Sequence, residues 1–361
     1  MRPLAYPQPG ASARREHPSA RKPCERPALQ STRMAQTDLS RVALVVPVRD
    51  EEAAIPTLMA SVAAQTRQPD ELIVVDAGSR DDTVRRIREA RWEGRLLLLT
   101  RGPLYPGEAR NEGVLATSAE WIAFTDAGIT LDPRWLEELA SAAGAGVQVV
   151  MGNSDPLVED AFSRCVALVC MGTLDESGWR GPTVPCMLIR RDVLEGVGGF
   201  QAHRAAEDQI LFDQIKAAGF KVAINTRARV RWEPPRNLSR LFARFMTYSY
   251  HNLAAGRARF WHLGLLRSYV GFLVAATVAT ALGGVSWALV LVPAFFLTRA
   301  SRAAWQKRDS FDFPTFQIQT ILGAGAVLAI VDLATLAGAG RFLFRRVLGR
   351  PVEDEQRAPY L

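Results

Sequence analysis

Cysteine is scarce in this 361-residue chain, and Cys24, Cys165, Cys170 and Cys186 lack the paired short spacings of a zinc site. They read as buried or incidental thiols in a reducing cytoplasm. The motifs GxGxxG and GxxxxGK(S/T) are absent, which excludes a Rossmann dinucleotide fingerprint and a P-loop. The first 33 residues have no apolar core of the kind a signal peptide needs. Two further absences lie downstream. No acid occurs from Arg236 to Arg267, and no charge of either sign occurs over the 31 positions from Ser268 to Thr298.

What is present is unevenly placed. Apolar residues make up 48% of the chain, but charged and polar residues dominate to about residue 260 and apolar runs dominate after it. Of the formal net charge of +7, residues 1–38 supply +4, from seven Lys/Arg against three Asp/Glu. Arg2–Arg33 is rich in Pro, Arg, Ser and Ala without an apolar period, so a disordered basic tail is expected over 1–38. Met34 stands just ahead of the first strand and is the expected natural start, which mass spectrometry of the native N-terminus would check.

From residue 41 strand and helix signals alternate. Val42–Pro47 is a continuous apolar run, as a buried parallel strand should be. Glu51–Thr66 carries Ile55, Leu58, Met59 and Val62 at helical spacing. Leu72–Val75 and Leu96–Leu99 read as strands, with a helix from Asp82 between them. Glu108–Ala119 reads as a helix leading into a strand at Trp121–Thr125, and Val184–Ile189 reads as a later strand. This order predicts an α/β fold, a mostly parallel sheet flanked by helices. Such sheets bind ligands at the carboxyl ends of their strands. Asp126 ends one strand there, Asp76 ends another, and Glu207-Asp208 adds a third acidic site. Three carboxylate sites on one α/β scaffold point to a cation, a nucleotide and a base, and so to an enzyme.

These residues together resemble a known family. Val45-Val46-Pro47-Val48-Arg49-Asp50-Glu51-Glu52, then Val75-Asp76-Ala77-Gly78-Ser79-Arg80-Asp81-Asp82-Thr83, looks like the opening of the family 2 glycosyltransferases of GT-A fold. Ala109-Arg110-Asn111-Glu112-Gly113, Phe124-Thr125-Asp126-Ala127-Gly128, Gly198-Gly199-Phe200 and Glu207-Asp208 continue the match in order over residues 41–235.

The resemblance implies roles. Asp76 takes the nucleoside base, unless it is only a turn or capping residue. Gly78 and Ser79 form a tight turn that lets backbone N–H groups approach the nucleotide, and Pro47 lines the base pocket. Asp50 and Glu51 stand where the family has Asn-Glu, so Asp50 is a departure. Arg110 suits a phosphate, Asp126, or a structural ion pair beneath the sheet. Asp126 matches the first Asp of the Asp-x-Asp metal motif, but Gly128 replaces the second. A divalent cation, Mg2+ or Mn2+, is therefore expected on Asp126 with its requirement left open. His203 or His251 could compensate, although a structural or surface role fits each better. Asp208 is the expected catalytic base, with Glu207 pointing elsewhere. Trp179, in the loop Asp175–Pro182, either stacks on a sugar or packs the loop down.

The C-terminal third changes character. Arg236, Arg240 and Arg244 share one helical face and are interleaved with Phe242, Phe245, Tyr248, Tyr250, Phe260 and Trp261. Beside a long uncharged run, this basic aromatic region over 236–267 suits anionic lipid headgroups better than nucleic acid. The run Ser268–Thr298 suits one tilted span or a hairpin, and Phe316–Gly340 is a second apolar segment containing only Asp332. Residues 268–361 are thus expected to be all-α and membrane-associated.

The reading is an inverting glycosyltransferase with its catalytic domain, 39–235, facing the cytoplasm at the membrane. It would take a UDP-linked sugar and deliver it to a lipid-linked or polysaccharide acceptor. Arg231-Trp232 lacks the upstream Gln of the processive Gln-x-x-Arg-Trp motif, so single-sugar addition is expected. Two alternatives stand. Gly128 motivates a catalytically silent membrane scaffold. Shared carboxylate–metal chemistry motivates a nucleotidyltransferase, but Arg49-Asp50-Glu51-Glu52 is acidic where such enzymes carry a basic, Gly-rich loop.

Overall fold

The computed structural model describes residues 39–349, apart from 145, 285 and 286. The expected tail over 1–38, the Met34 start and Cys24 lie outside the described residues, as do the side chains of Phe260 and Trp261.

The first half alternates β1 (Val42–Val48), α1 (Ile55–Ala63), β2 (Glu71–Asp76), α2 (Thr83–Glu89), β3 (Arg95–Thr100), α3 (Pro106–Leu115) and β4 (Trp121–Phe124). Then come β5 (Ile129–Leu131), α4 (Trp135–Ser141), β6 (Val149–Pro156), α5 (Ala161–Cys170), β7 (Met187–Arg190), α6 (Arg191–Gly196), α7 (Glu207–Ala217) and β8 (Val222–Trp232). They form one eight-stranded sheet in the order β3-β2-β1-β4-β7-β6-β8-β5. The sheet is mixed. The β3-β2-β1-β4 half is wholly parallel, and the antiparallel neighbours are β4/β7, β6/β7 and β5/β8.

Helices cover both faces, which is why β1 and β2 are continuous apolar runs rather than alternating ones. Val42, Leu44 and Val46 pack with Ile55, Leu58 and Val62 of α1 and Trp135, Leu136 and Leu139 of α4. Ala43 and Val45 pack the other way, with Ala109 and Val114 of α3, Val193 and Leu194 of α6, and Leu211 and Ile215 of α7. Leu44 and Val45 are fully buried, and each such side chain contributes ~1.5–3 kcal/mol.

Several boundaries move for identifiable reasons. Helix α1 starts at Ile55, not Glu51, because Asp50 has φ +54 and Pro56 occupies the first turn. Helix α3 starts at Pro106, where Glu108 accepts a 2.9 Å hydrogen bond from the Tyr105 N–H. The strand expected from Val184 begins at Met187, because Val184–Cys186 is a 3-10 turn built on Pro185.

The C-terminal region is helical: α8 (Leu238–Ala254), α9 (Ala258–Gly283), α10 (Trp287–Gln306) and α11 (Ile318–Val347). Helix α9 runs unbroken through the boundary expected at 267/268. The 31-residue apolar run is two helices parted at Gly284, whose φ is +86. Tyr269 and Phe272 of α9 meet Phe295 of α10 at ring distances of 5.3 and 4.7 Å, so the two helices fold back on each other. Among the described residues, His262–Leu282 and Ile318–Val347 are long and apolar enough to cross a membrane. Leu273, Val274 and Leu282 of α9 are exposed. Helix α8 is docked rather than free: Leu241 and Phe245 cluster with Cys165 and Val166 of α5 and Val327 and Ala334 of α11.

Candidate active site

The parallel pairing of β1 with β2 and β4 brings Asp76 and Asp126 to one sheet edge. Val48 is in register with Asp76, and Val45 with Phe124, two residues before Asp126. Asp76 is 1% exposed, and its Oδ1 accepts the Ser79 N–H at 3.1 Å. Gly78 makes this turn possible with φ +87, a conformation L side chains rarely adopt.

The β1–α1 and β2–α2 loops are laced together. The Asp50 N–H donates to Ser79 Oγ at 2.9 Å, and Asp50 Oδ1 accepts the Arg80 N–H at 2.7 Å. The Glu51 N–H donates to Thr83 Oγ1 at 2.8 Å, and the Glu52 N–H to Asp81 Oδ2 at 3.1 Å. Asn and Asp are the non-glycine residues that best tolerate positive φ. Asp50 therefore preserves the backbone geometry that Asn would have there.

Helix α3 delivers the centre of the site. A Cβ on Gly113 would lie 2.4 Å from Val45 Cγ1, so only glycine lets α3 lie this close to β1. One turn earlier Arg110 enters the edge with 2% side-chain exposure. Its Nη2 donates to Asp126 Oδ1 at 2.8 Å, and its Nη1 to Glu207 Oε1 at 3.3 Å and Asp208 Oδ1 at 3.2 Å. The guanidinium also sits 5.2 Å from the Phe200 ring centroid. Of the three partners open to Arg110, the structure selects the carboxylates. Enclosure by them leaves it badly placed for a phosphate.

Glu207 does not point away from Asp208, as helical spacing suggested. The long fork of Arg110 reaches both at the first turn of α7. Ala206, just ahead of them, has φ +103, a strained conformation for a residue with a Cβ. Asn111 was missed in the sequence. Its Nδ2 donates to the Phe200 carbonyl at 2.8 Å and its Oδ1 accepts the Phe200 N–H at 3.0 Å. The Arg110-Asn111 pair thus organises both the acidic helix start and the Gly198-Gly199-Phe200 turn.

Burial is the main force on the carboxyls here. It pushes Glu207 well above the usual range, Asp208 adding to the rise and Arg110 opposing it. Asp208 is also raised by burial, with Arg110 pulling down and Asp126 pushing up. Glu51 is pushed up to about 7, by burial first and then by Asp126, against a downward pull from Arg244. Asp126 itself is 40% exposed. A Cβ on Gly128 would meet open space, so the missing second Asp leaves a vacant approach rather than a filled one.

Two family models match this chain: Glycosyl transferase family 2 over residues 43–161, and Glycosyl transferase family 21 over residues 111–322. The chain belongs to the family 2 glycosyltransferases. The family 21 match covers more than half the chain and carries the likeness into the helical region. Among curated relatives, the glycosyltransferase AglE of Haloferax volcanii is 29% identical over 45% of this chain and 56% of its own length. The O-antigen chain rhamnosyltransferase WbaN of Salmonella anatum is 28% identical over 46% of this chain and 58% of its own. The undecaprenyl-phosphate 4-deoxy-4-formamido-L-arabinose transferase of Aeromonas hydrophila is 34% identical over 45% and 53%. The chain thus spans little more than half the length of each of these three relatives. In fold it resembles the mannosyltransferase PcManGT of Pyrobaculum calidifontis, with TM-score 0.50 and 20% identity over 86% of this chain and 89% of that one. This likeness supports the GT-A architecture.

Other family-based expectations are placed less centrally. Trp179 donates through Nε1 to the Gly152 carbonyl at 3.0 Å and packs against the core, so it holds its loop down. His251, on α8, is 5% exposed; burial first, then Arg204, His203 and Arg341, hold it down at about 4. Its charged neighbours are cations, which disfavours a metal ion at this ring. Among the described residues no group of three His, Cys, Asp or Glu could hold a metal ion. Cys165, Cys170 and Cys186 are free thiols, with Cys165 and Cys186 buried.

Trp232, read in the sequence only against the processive motif, also has a place at the sheet edge. The alternation Arg227-Ala228-Arg229-Val230-Arg231-Trp232 is a strand signal. It marks the end of β8, which pairs Trp232 with Ile129, directly after the Asp126–Gly128 turn.

Proposed function

We propose that this protein is an inverting glycosyltransferase acting at the cytoplasmic face of a membrane. It moves a single sugar from a nucleotide sugar, expected to be UDP-linked, to a lipid-linked or polysaccharide acceptor. The observation that carries this reading is Arg110 joining Asp126, at the donor edge, to Asp208, at the start of α7, within 2.8 and 3.2 Å. In this reading Asp208 is the base, and Asp76, the Gly78-Ser79 turn and Pro47 hold the nucleoside at the strand ends.

Asp208 takes the acceptor hydroxyl's proton as that oxygen attacks the anomeric carbon from the face opposite the nucleotide. The bond from that carbon to the diphosphate oxygen breaks, its electron pair leaves with the nucleoside diphosphate, and the configuration inverts. General-base assistance of this kind contributes about 10²–10⁴-fold. Burial raises the basicity of Asp208, and Arg110 limits the rise and fixes the carboxylate's orientation. The rate should therefore fall as pH drops, with an acid limb above the ordinary carboxylate range.

The donor set fits a hard divalent cation, although sparsely. Arg110 occupies Oδ1 of Asp126, the other oxygen is on a partly exposed side chain, and Glu51 is a second carboxylate whose ionisation Asp126 opposes. A cation on Asp126 would neutralise charge on the departing diphosphate. PcManGT was solved with GDP-Man and Mn2+. The Aeromonas relative is named for an undecaprenyl-phosphate substrate, which supports a lipid-linked acceptor. The exposed apolar faces of α9 and α11 support membrane attachment.

The test is release of nucleotide from a panel of UDP-, GDP- and dTDP-sugars by membrane-embedded protein, with and without Mn2+ or Mg2+. Turnover of one donor supports the reading and names the sugar. Failure to bind or turn over any donor would favour the silent scaffold.

A further inference from the structure

Charge at this edge is one-sided. Asp126 and Asp208 lie partly exposed where a phosphorylated substrate would add still more negative charge. Arg110 cannot answer it, being 2% exposed and shared among three carboxylates.

A second cation approaches from the helical region. Arg244 of α8 lies with its guanidinium 5.6 Å from the Trp232 ring centroid. Trp232 pairs with Ile129, whose N–H donates to the Asp126 carbonyl at 3.2 Å. Arg244 is half-buried, and among the described residues it forms no ion pair or hydrogen bond. Its field reaches Glu51, which places it within electrostatic range of the site. The other arginines of its stripe behave differently. Arg236 pairs with Glu233, and Arg240 is exposed.

We propose that Arg244 is a phosphate-binding residue of this site, a cation lent by the helical region beside the position where Gly128 replaces a metal carboxylate. This inference rests on the glycosyltransferase reading above. A guanidinium can bind two phosphate oxygens at once. Stacking on Trp232 holds the side chain before substrate arrives, which lowers the entropy cost of pairing. The phosphate is that of the nucleotide donor or that of a lipid-linked acceptor; the chemistry is shared.

The test uses full-length protein in nanodiscs and direct binding of four probes: UDP, GDP, uridine and farnesyl phosphate. Arg244→Ala and Arg244→Lys are compared with Arg240→Ala, one turn away and exposed, and thermal melting checks that each variant is folded. Loss of diphosphate affinity on the order of tenfold in Arg244→Ala, with uridine unchanged and Lys partly restoring it, assigns Arg244 to the donor phosphates. Unchanged diphosphate affinity with a similar loss for farnesyl phosphate assigns it to the acceptor. Wild-type binding that Arg244→Ala leaves unchanged for every probe overturns the inference alone. A wild-type protein that binds none of the probes overturns the inference and the proposed function together. If Arg244→Ala fails to fold, Arg244→Lys and Arg244→Gln decide: equal affinities in these two and wild type overturn the inference.

Discussion

The two sides of the site edge are held by different means. On the proposed donor side, Asp50, Glu51, Glu52, Ser79, Arg80, Asp81 and Thr83 share four hydrogen bonds between two loops. Each contributes about 1 kcal/mol, and water can replace most of them. On the base side, one enclosed guanidinium serves three carboxylates, and one amide clamps Phe200. There the guanidinium itself and Glu207 are shut off from solvent, which reaches only Asp126 and Asp208. Damage to the donor side should therefore be graded, whereas damage to the base side should be severe.

Arg110→Met should break the comparison most sharply. Removing the cation leaves buried Glu207 and the partly exposed Asp126 and Asp208 without their partner, at a cost of at most roughly 3–5 kcal/mol. Denaturant unfolding should show that loss, and turnover should disappear with it. Asn111→Ala should come next, at about 1–3 kcal/mol, because the Phe200 N–H and carbonyl lose their partners. Survival of either variant with unchanged stability would mean that the base side is not concentrated as described.

On the donor side, Asp50→Ala should cost about 1 kcal/mol, through one lost hydrogen bond and a less tolerant residue at φ +54. Its donor KM should rise more than its kcat falls. Asp50→Asn should be close to neutral in both. Ala206→Gly should have the opposite sign: it relieves φ +103 and should stabilise by about 1 kcal/mol in a thermal melt. A destabilised Ala206→Gly would show that the bend carries no strain.

Of the three carboxylates on Arg110, Glu207 gives stability a pH dependence that a variant can isolate. Glu207 has its folded pKa raised, so the stability it contributes is complete below the unfolded value, 4.5, and is lost as pH rises through the folded one. Glu207→Gln should remove that alkaline loss while leaving stability near pH 4 little changed. Equal alkaline sensitivity in both proteins would show that Glu207 titrates normally.

The parallel half of the fold was legible because its strands are continuous apolar runs ending on single carboxylates, Asp76 and Asp126. The boundaries of α1 and β7 were less so, because they depend on a backbone φ at Asp50 and a turn at Pro185. Of the site, Asp126, Arg110 and Asp208 stood out by type and position, and the structure brings all three together. What the sequence hid was who pairs with whom. Arg110 read equally well as a phosphate ligand, since only long-range packing through Gly113 and α7 decides its partners. Arg244 read as one of three equivalent arginines on a basic helix. Only the docking of α8 onto α5 and α11 sets it beside the Trp232 ring. Stripe periodicity records which residues share a face, not what that face meets.

The most direct test of the central claim compares Asp208→Asn with Glu207→Gln, in one preparation and with one nucleotide-sugar donor. Both variants keep the side chain's shape and remove an ionisable group next to Arg110. The account predicts a 10²–10⁴-fold loss of kcat for Asp208→Asn and less than about a tenfold change for Glu207→Gln. The reverse order, or full activity in Asp208→Asn, would contradict it.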